Sequence, residues 1–174
     1  EVTVPTTESA SVTFWLQNMV KTKEACMLAG PAGTGKTQLI NGVLRELNPD
    51  KHQFQTININ FYTSSIALLG SLEGKLQKRT GSTYGPPGSA KLIYFVDDLN
   101  LPEVDKYNTQ SAIALIRQHA DYGHWYDLQK MTLKNIADTQ YVAALNPSAG
   151  SFEINPRLQR HFTTIAVSMP SATS

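Results

Sequence analysis

Gly30-Pro31-Ala32-Gly33-Thr34-Gly35-Lys36-Thr37 lies between a short apolar run, Cys26 to Ala29, and a stretch in which Leu39, Ile40, Val43, Leu44 and Leu47 fall on one helical face. The octet satisfies G-x-x-x-x-G-K-[ST], with a strand expected before it and a helix after it, which is the context the pattern needs. Glycines let backbone N–H groups turn inward around a phosphate where a side chain would collide. The positive end of the following helix adds partial charge in the same direction. Lys36 is therefore expected to reach the β- and γ-phosphates of a nucleotide, and the Thr37 hydroxyl to take one position on Mg²⁺. The bland alternative is a glycine-rich turn that merely joins strand to helix. It loses weight because every position of the octet fits and both flanks are right.

Outward from this loop the chain alternates between strand-like and helix-like segments. Val12, Trp15, Leu16, Met19 and Val20 have helical spacing after an extended lead, Val2 to Thr7. Downstream, Phe54 to Asn60 reads as a strand, and Ile66, Leu69, Leu72 and Leu76 mark a helix. The segment Thr80 to Ala90 holds Gly81, Gly85, Pro86, Pro87 and Gly88, and its composition predicts a loop throughout. Leu92 to Val96 is a fully apolar strand, Thr109 to His119 a helix, His124 to Leu133 a surface hairpin. Tyr141 to Leu145 and Phe162 to Val167 close the series. Near-continuous apolar strands separated by helices predict a parallel sheet covered on both faces. The expected fold is one three-layer α/β P-loop domain over 1–174, with a central parallel five-stranded sheet and a hairpin insert. Residues 1–24 form its lead and first helix, and 25–170 its core.

Strands of a parallel sheet present their C-terminal ends to one crevice, so groups at those ends meet the phosphate loop. Asp97-Asp98 follows the apolar strand: Asp97 is expected on Mg²⁺, and Asp98 to orient or deprotonate the attacking water. Aspartate is one methylene shorter than the glutamate many P-loop ATPases use here, which makes slow hydrolysis an open alternative. Asn146 and Asn60 end two other strands. Asn146 could bond the γ-phosphate or the water, and Asn60 could hold Asp98 in a second orientation; each could equally cap a turn. Arg157 and Arg160, in a short helical turn before the last strand, could reach a neighbour's nucleotide or simply pair with a surface carboxylate.

Composition narrows the class. The chain is 41% hydrophobic with a net charge of +1 and no block of like charges, which argues against a nucleic-acid or membrane-surface partner. Apolar runs are strand-sized, and no leader peptide is expected. Cys26 is the one cysteine, which suits a reducing compartment. The four histidines show no metal-ligand spacing. No N-K-x-D segment reads guanine, since Asn48-Pro49-Asp50-Lys51 has the wrong order, and no arginine-rich lid suggests a nucleotide kinase.

VPTTES at 4–9, GPAGTGKT at 30–37, YGPPGSAKLIYFVDDLNLPEVDKY at 84–107, IRQHADYGHWYD at 116–127 and NPSAGSFEINPRLQRHF at 146–162 together resemble the axonemal dynein heavy chains. The likeness is to the large α/β subdomain of their third AAA+ module, outer-arm β-chain type, and runs from Val4 to Pro170. It implies a ring of six modules in a giant chain that moves along microtubules. It also implies intermediate and light chains bound elsewhere on the parent, and a place in the cytoplasm and cytoskeleton at the axoneme of cilia and flagella. This module would hold ATP or ADP with Mg²⁺ and regulate the main engine. Val4 and Pro5 would line the adenine pocket, and Asn146 would be the sensor residue. Arg160, ahead of Arg157, would act in trans on the preceding module's site. A small helical lid would follow the fifth strand, outside these residues. Without lid and neighbour, the 174 residues alone are expected to bind nucleotide weakly and turn over almost none.

Overall fold

The computed structural model describes residues 6–107, 109–147 and 154–169. Its elements run α1 (Thr7–Thr22), β1 (Cys26–Ala29), α2 (Lys36–Glu46), β2 (His52–Asn58), α3 (Ser65–Glu73), β3 (Gln77–Lys78), β4 (Thr83–Gly85), β5 (Lys91–Asp97), α4 (Ser111–Tyr122), β6 (His124–Tyr126), β7 (Leu133–Ile136), β8 (Thr139–Leu145), α5 (Pro156–Gln159) and β9 (Thr163–Ala166). The central sheet has the order β2-β5-β8-β1-β9, and each pairing in it is parallel.

Alternation along these strands makes the three layers. On β5, Leu92, Tyr94 and Val96 join a core with α3 and α4, while Ile93 and Phe95 face α1 and α2. Residues on β8 divide the same way, Tyr141, Ala143 and Leu145 to one side and Val142 and Ala144 to the other. A strand buried on both faces has no polar positions to spare, which is why β5 and β8 read as continuous apolar runs. Helix starts follow local chemistry. Thr6 and Ser9 exchange hydrogen bonds of 2.8 and 3.1 Å as a capping box at α1, and the Ser64 hydroxyl accepts from the Ala67 N–H at α3.

A second sheet, β3-β4-β7-β6, corrects the expectation of an unbroken loop over Thr80 to Ala90, because β4 lies within that stretch. Arg79 orders it: one end of the guanidinium pairs with Asp138 at 2.6 Å and the other donates to the Pro86 carbonyl at 3.0 Å. Other bounds also move. The second strand spans His52–Asn58 rather than Phe54 to Asn60, α4 starts two residues later than expected and continues to Tyr122, and the hairpin reaches Ile136.

The hairpin is fastened from inside. Trp125 is fully buried, and its indole N–H donates to Glu73 Oε1 at 2.9 Å. Lys134 meets the same oxygen at 2.9 Å and Asp127 at 3.1 Å. Behind Trp125 lies His119, edge-on at 4.8 Å between ring centroids. Burial pushes the His119 imidazole down to about 4, so it stays neutral beside the Tyr141 hydroxyl, 2.8 Å away. Truncating Trp125 to alanine empties this junction and leaves Glu73 without one of its donors. The expected cost is about 3–5 kcal/mol, read by urea unfolding; a loss below about 1 kcal/mol would show that Trp125 is not core.

Candidate nucleotide site

β1 delivers the chain to Gly30, where there is no room for a side chain: a Cβ would collide with the Val167 carbonyl at the end of β9. Gly33 and Gly35 then take φ of 81° and 77°, the left-handed region that glycine enters without penalty. Pro31 and Ala32 are exposed on the outer rim of the loop, whereas Thr34 is buried and donates to the Pro31 carbonyl at 2.9 Å. Gly35 leads into α2 with no side-chain cap on its first turn.

Lys36 is buried, and its ammonium donates to the carbonyls of Gly30 and Pro31 at 2.8 and 2.7 Å. Burial lowers its affinity for a proton, while the charges of Asp98 and Asp97 act the other way. The Thr37 hydroxyl donates to Asp97 Oδ2 at 2.9 Å, joining the start of α2 to the end of β5. Two oxygen groups thus meet at the mouth of the loop, the kind of donor Mg²⁺ takes. The residues present therefore fit a metal–nucleotide complex.

Asp98 turns out of the strand with φ of 55°, unusual for a residue with a side chain. Desolvation raises its carboxyl above the ordinary range, the neighbouring Asp97 charge adds to this, and Lys36 opposes it. Asn146 follows β8 and is buried near the same edge. Asn60 lies two residues past the end of β2; its Oδ1 accepts from the Tyr62 N–H at 2.9 Å and the Thr63 hydroxyl at 3.2 Å. That is a turn-closing arrangement. Arg160 pairs with Asp121 at 2.6 Å on the domain surface. Val4 and Pro5 lie outside the described residues.

Sequence reading passed over Asn100. It is buried and donates to the Asn146 carbonyl at 2.9 Å, while the neighbouring Leu99 N–H donates to the Ala144 carbonyl at 3.1 Å. The turn after Asp98 is thereby stitched to the strand end that carries Asn146. A polar residue between two leucines was the available signal. Sequence also gave no view of a cavity of about 460 Å³ beside the loop, lined by Thr6, Val12, Trp15, Thr34, Leu39 and Ile165 among others. Its size lies within the range of small-molecule pockets.

A parallel β2-β5-β8-β1-β9 sheet, with a glycine-rich loop after β1 and a carboxylate at the end of β5 that meets the loop's Thr37, defines a P-loop nucleotide-binding α/β subdomain. The family described as P-loop containing dynein motor region matches residues 1–170, and the chain belongs to it. Dynein axonemal heavy chain 17 of Mus musculus is 51% identical over 167 residues, 96% of this chain. The dynein alpha chain of the flagellar outer arm of Chlamydomonas reinhardtii is 51% identical over 174 residues, 99% of the chain. The ciliary dynein beta chain of Tripneustes gratilla is 48% identical over 169 residues, 97% of the chain. The chain spans 4% of the length of each. Membership carries nucleotide binding with it. Among the described residues no helix is long and apolar enough to cross a membrane, and no group of His, Cys, Asp and Glu is placed to hold a metal by itself.

Proposed function

We propose that the chain is the large α/β part of a regulatory AAA+ module, the third in the ring of an axonemal dynein heavy chain of outer-arm β type. In this reading it binds ATP or ADP with Mg²⁺ and tunes a microtubule motor of cilia and flagella. The supporting observation is the 2.9 Å contact between Thr37 and Asp97 at the mouth of a phosphate loop whose lysine is already directed inward. Names of the relatives support the motor, since they are axonemal, ciliary and flagellar dyneins.

Thr37 and Asp97 would hold Mg²⁺, which when bound neutralises charge on the β- and γ-phosphates. Lys36 would exchange its two carbonyl partners for phosphate oxygens, gaining a charge-assisted contact in place of neutral ones. Glycines 33 and 35 keep the loop's N–H groups approachable. The cavity between α1, α2 and the end of β9 would take the base. Asp98 would accept a proton from the attacking water and Asn146 would orient it, with Arg160 serving the preceding module's site. Neighbouring modules of the same chain, intermediate and light chains, and the microtubule would be met through the rest of the parent, at the axoneme.

Substituting Thr37 by valine keeps the shape and removes the hydroxyl. Nucleotide affinity in the intact protein should fall roughly tenfold with Mg²⁺ present, about the worth of one such ligand contact. It should change little in EDTA, as measured by titration with a fluorescent ATP analogue. An undiminished benefit from Mg²⁺ in the variant would refute the assignment of Thr37.

A further inference from the structure

Asp121 lies in the last turn of α4, where the helix dipole disfavours a carboxylate. Basic side chains gathered around it offset this. Arg160 Nη2 and His161 Nε2 each meet Asp121 Oδ1 at 2.6 Å, and Arg117, one turn earlier on α4, places its Nε 3.9 Å from Oδ2. The two short bonds hold the Asp121 carboxyl below the usual carboxylate range, that from Arg160 contributing most.

The pair is asymmetric. The Asp121 side chain is 15% exposed, whereas that of Arg160 is 64% exposed. A guanidinium has five N–H donors in a planar fork. With Nη2 on Asp121, one end of the guanidinium is engaged at the protein surface while most of the side chain stays in solvent. So exposed an ion pair adds little to stability. Its main physical effect is on orientation, because a free arginine samples many rotamers and a tethered one does not. The base of Arg160 is fixed too: Asn155 caps α5 by accepting from the Arg157 N–H at 2.9 Å, and Leu158 anchors the turn in the core.

We propose that Asp121 is a positioning residue, which holds the Arg160 guanidinium in one outward orientation for a phosphate bound by a neighbouring module. This rests on the reading of Arg160 as the group acting in trans. A carboxylate behind an arginine fixes its plane and so determines which N–H groups face outward. The same support from the parent domain would let the arginine engage without a search through rotamers.

The test uses the full heavy chain, with the phosphate-loop lysine of the other modules replaced so that only the neighbour's site turns over. Steady-state kcat and KM for ATP, and Tm, are measured for Arg160→Ala, Asp121→Asn, Asp121→Glu and the Arg160→Ala, Asp121→Asn double variant. Arg160→Ala should lower kcat by about 10³-fold, the scale of an arginine acting in trans. Asp121→Asn should lower kcat by roughly 10- to 100-fold with KM unchanged, as expected of a small misplacement. Asp121→Glu should restore most of the loss, and the double variant should be no slower than Arg160→Ala alone. If Arg160→Ala slows turnover but Asp121→Asn does not, the positioning claim is overturned while the role of Arg160 stands. If Arg160→Ala has no effect, both fall. A further loss in the double variant, or a fall in Tm with kcat intact, means that Asp121 acts on something else and overturns the proposal.

Discussion

Replacing Lys36 with alanine in the intact protein should reduce nucleotide affinity at this site by about 10²–10³-fold, corresponding to roughly 3–4 kcal/mol for a buried charge that loses its place against phosphate. The magnitude follows from the position of the side chain. Lys36 is buried, and its ammonium is already held inside the loop by the Gly30 and Pro31 carbonyls. Little of its conformational freedom therefore remains to be lost on binding. Alanine removes the one cation that the loop itself supplies, leaving the phosphates to backbone N–H groups and the metal. Equilibrium titration with a labelled nucleotide, under conditions where the other sites are saturated or disabled, gives the number directly. Affinity within a fewfold of wild type would show that this phosphate loop does not hold nucleotide in the assembled protein.

Asp98→Asn is expected to leave binding nearly intact and to lower turnover at this site by about 10²–10⁴-fold, the range contributed by a positioned general base. Desolvation and the adjacent Asp97 charge raise the Asp98 carboxyl, and a carboxylate moved toward neutrality is a better proton acceptor. Asparagine preserves size and hydrogen bonding but cannot take the proton. Single-turnover hydrolysis in the assembled ring separates the step from release. A rate equal to wild type would establish that Asp98 is not the working base, and would favour a module that holds nucleotide without turning it over.

Sequence legibility tracked how far each feature depended on local chemistry. The strands β1, β5 and β8 were plain because burial on both faces leaves only apolar residues, and the phosphate loop because its glycines and Lys36 are close in the chain. The strand β2 was misplaced by two residues at each end because it begins with polar His52 and Gln53, while the buried Ile59 carries the strand-like pattern past its end at Asn58. The small strand β4 was invisible: three residues show no period, its near partner β3 has only two residues, and its other partner β7 lies far along the chain. Within the site, Thr37 and Asp97 were predictable from their motifs, and they meet. Asn60 was placed by its position after an apolar stretch, whereas turn chemistry occupies its side-chain oxygen. Asn100 escaped because its partner is the backbone of Asn146, 46 residues away, and a backbone acceptor leaves no mark in sequence.

The fastening of the hairpin has a mechanical consequence. Its two strands share a sheet with β4 and β3, which come from a separate stretch of chain, and Glu73 at the end of α3 grips it through both Trp125 and Lys134. Load applied at the exposed tip, near Leu128 and Met131, would therefore pass into α3 through Glu73 and into α4 through the contact of Trp125 with His119. Those two helices connect back to Asn58 and Asp97 at the C-terminal ends of β2 and β5. The hairpin is thus a lever arm seated on the two helices that follow β2 and β5.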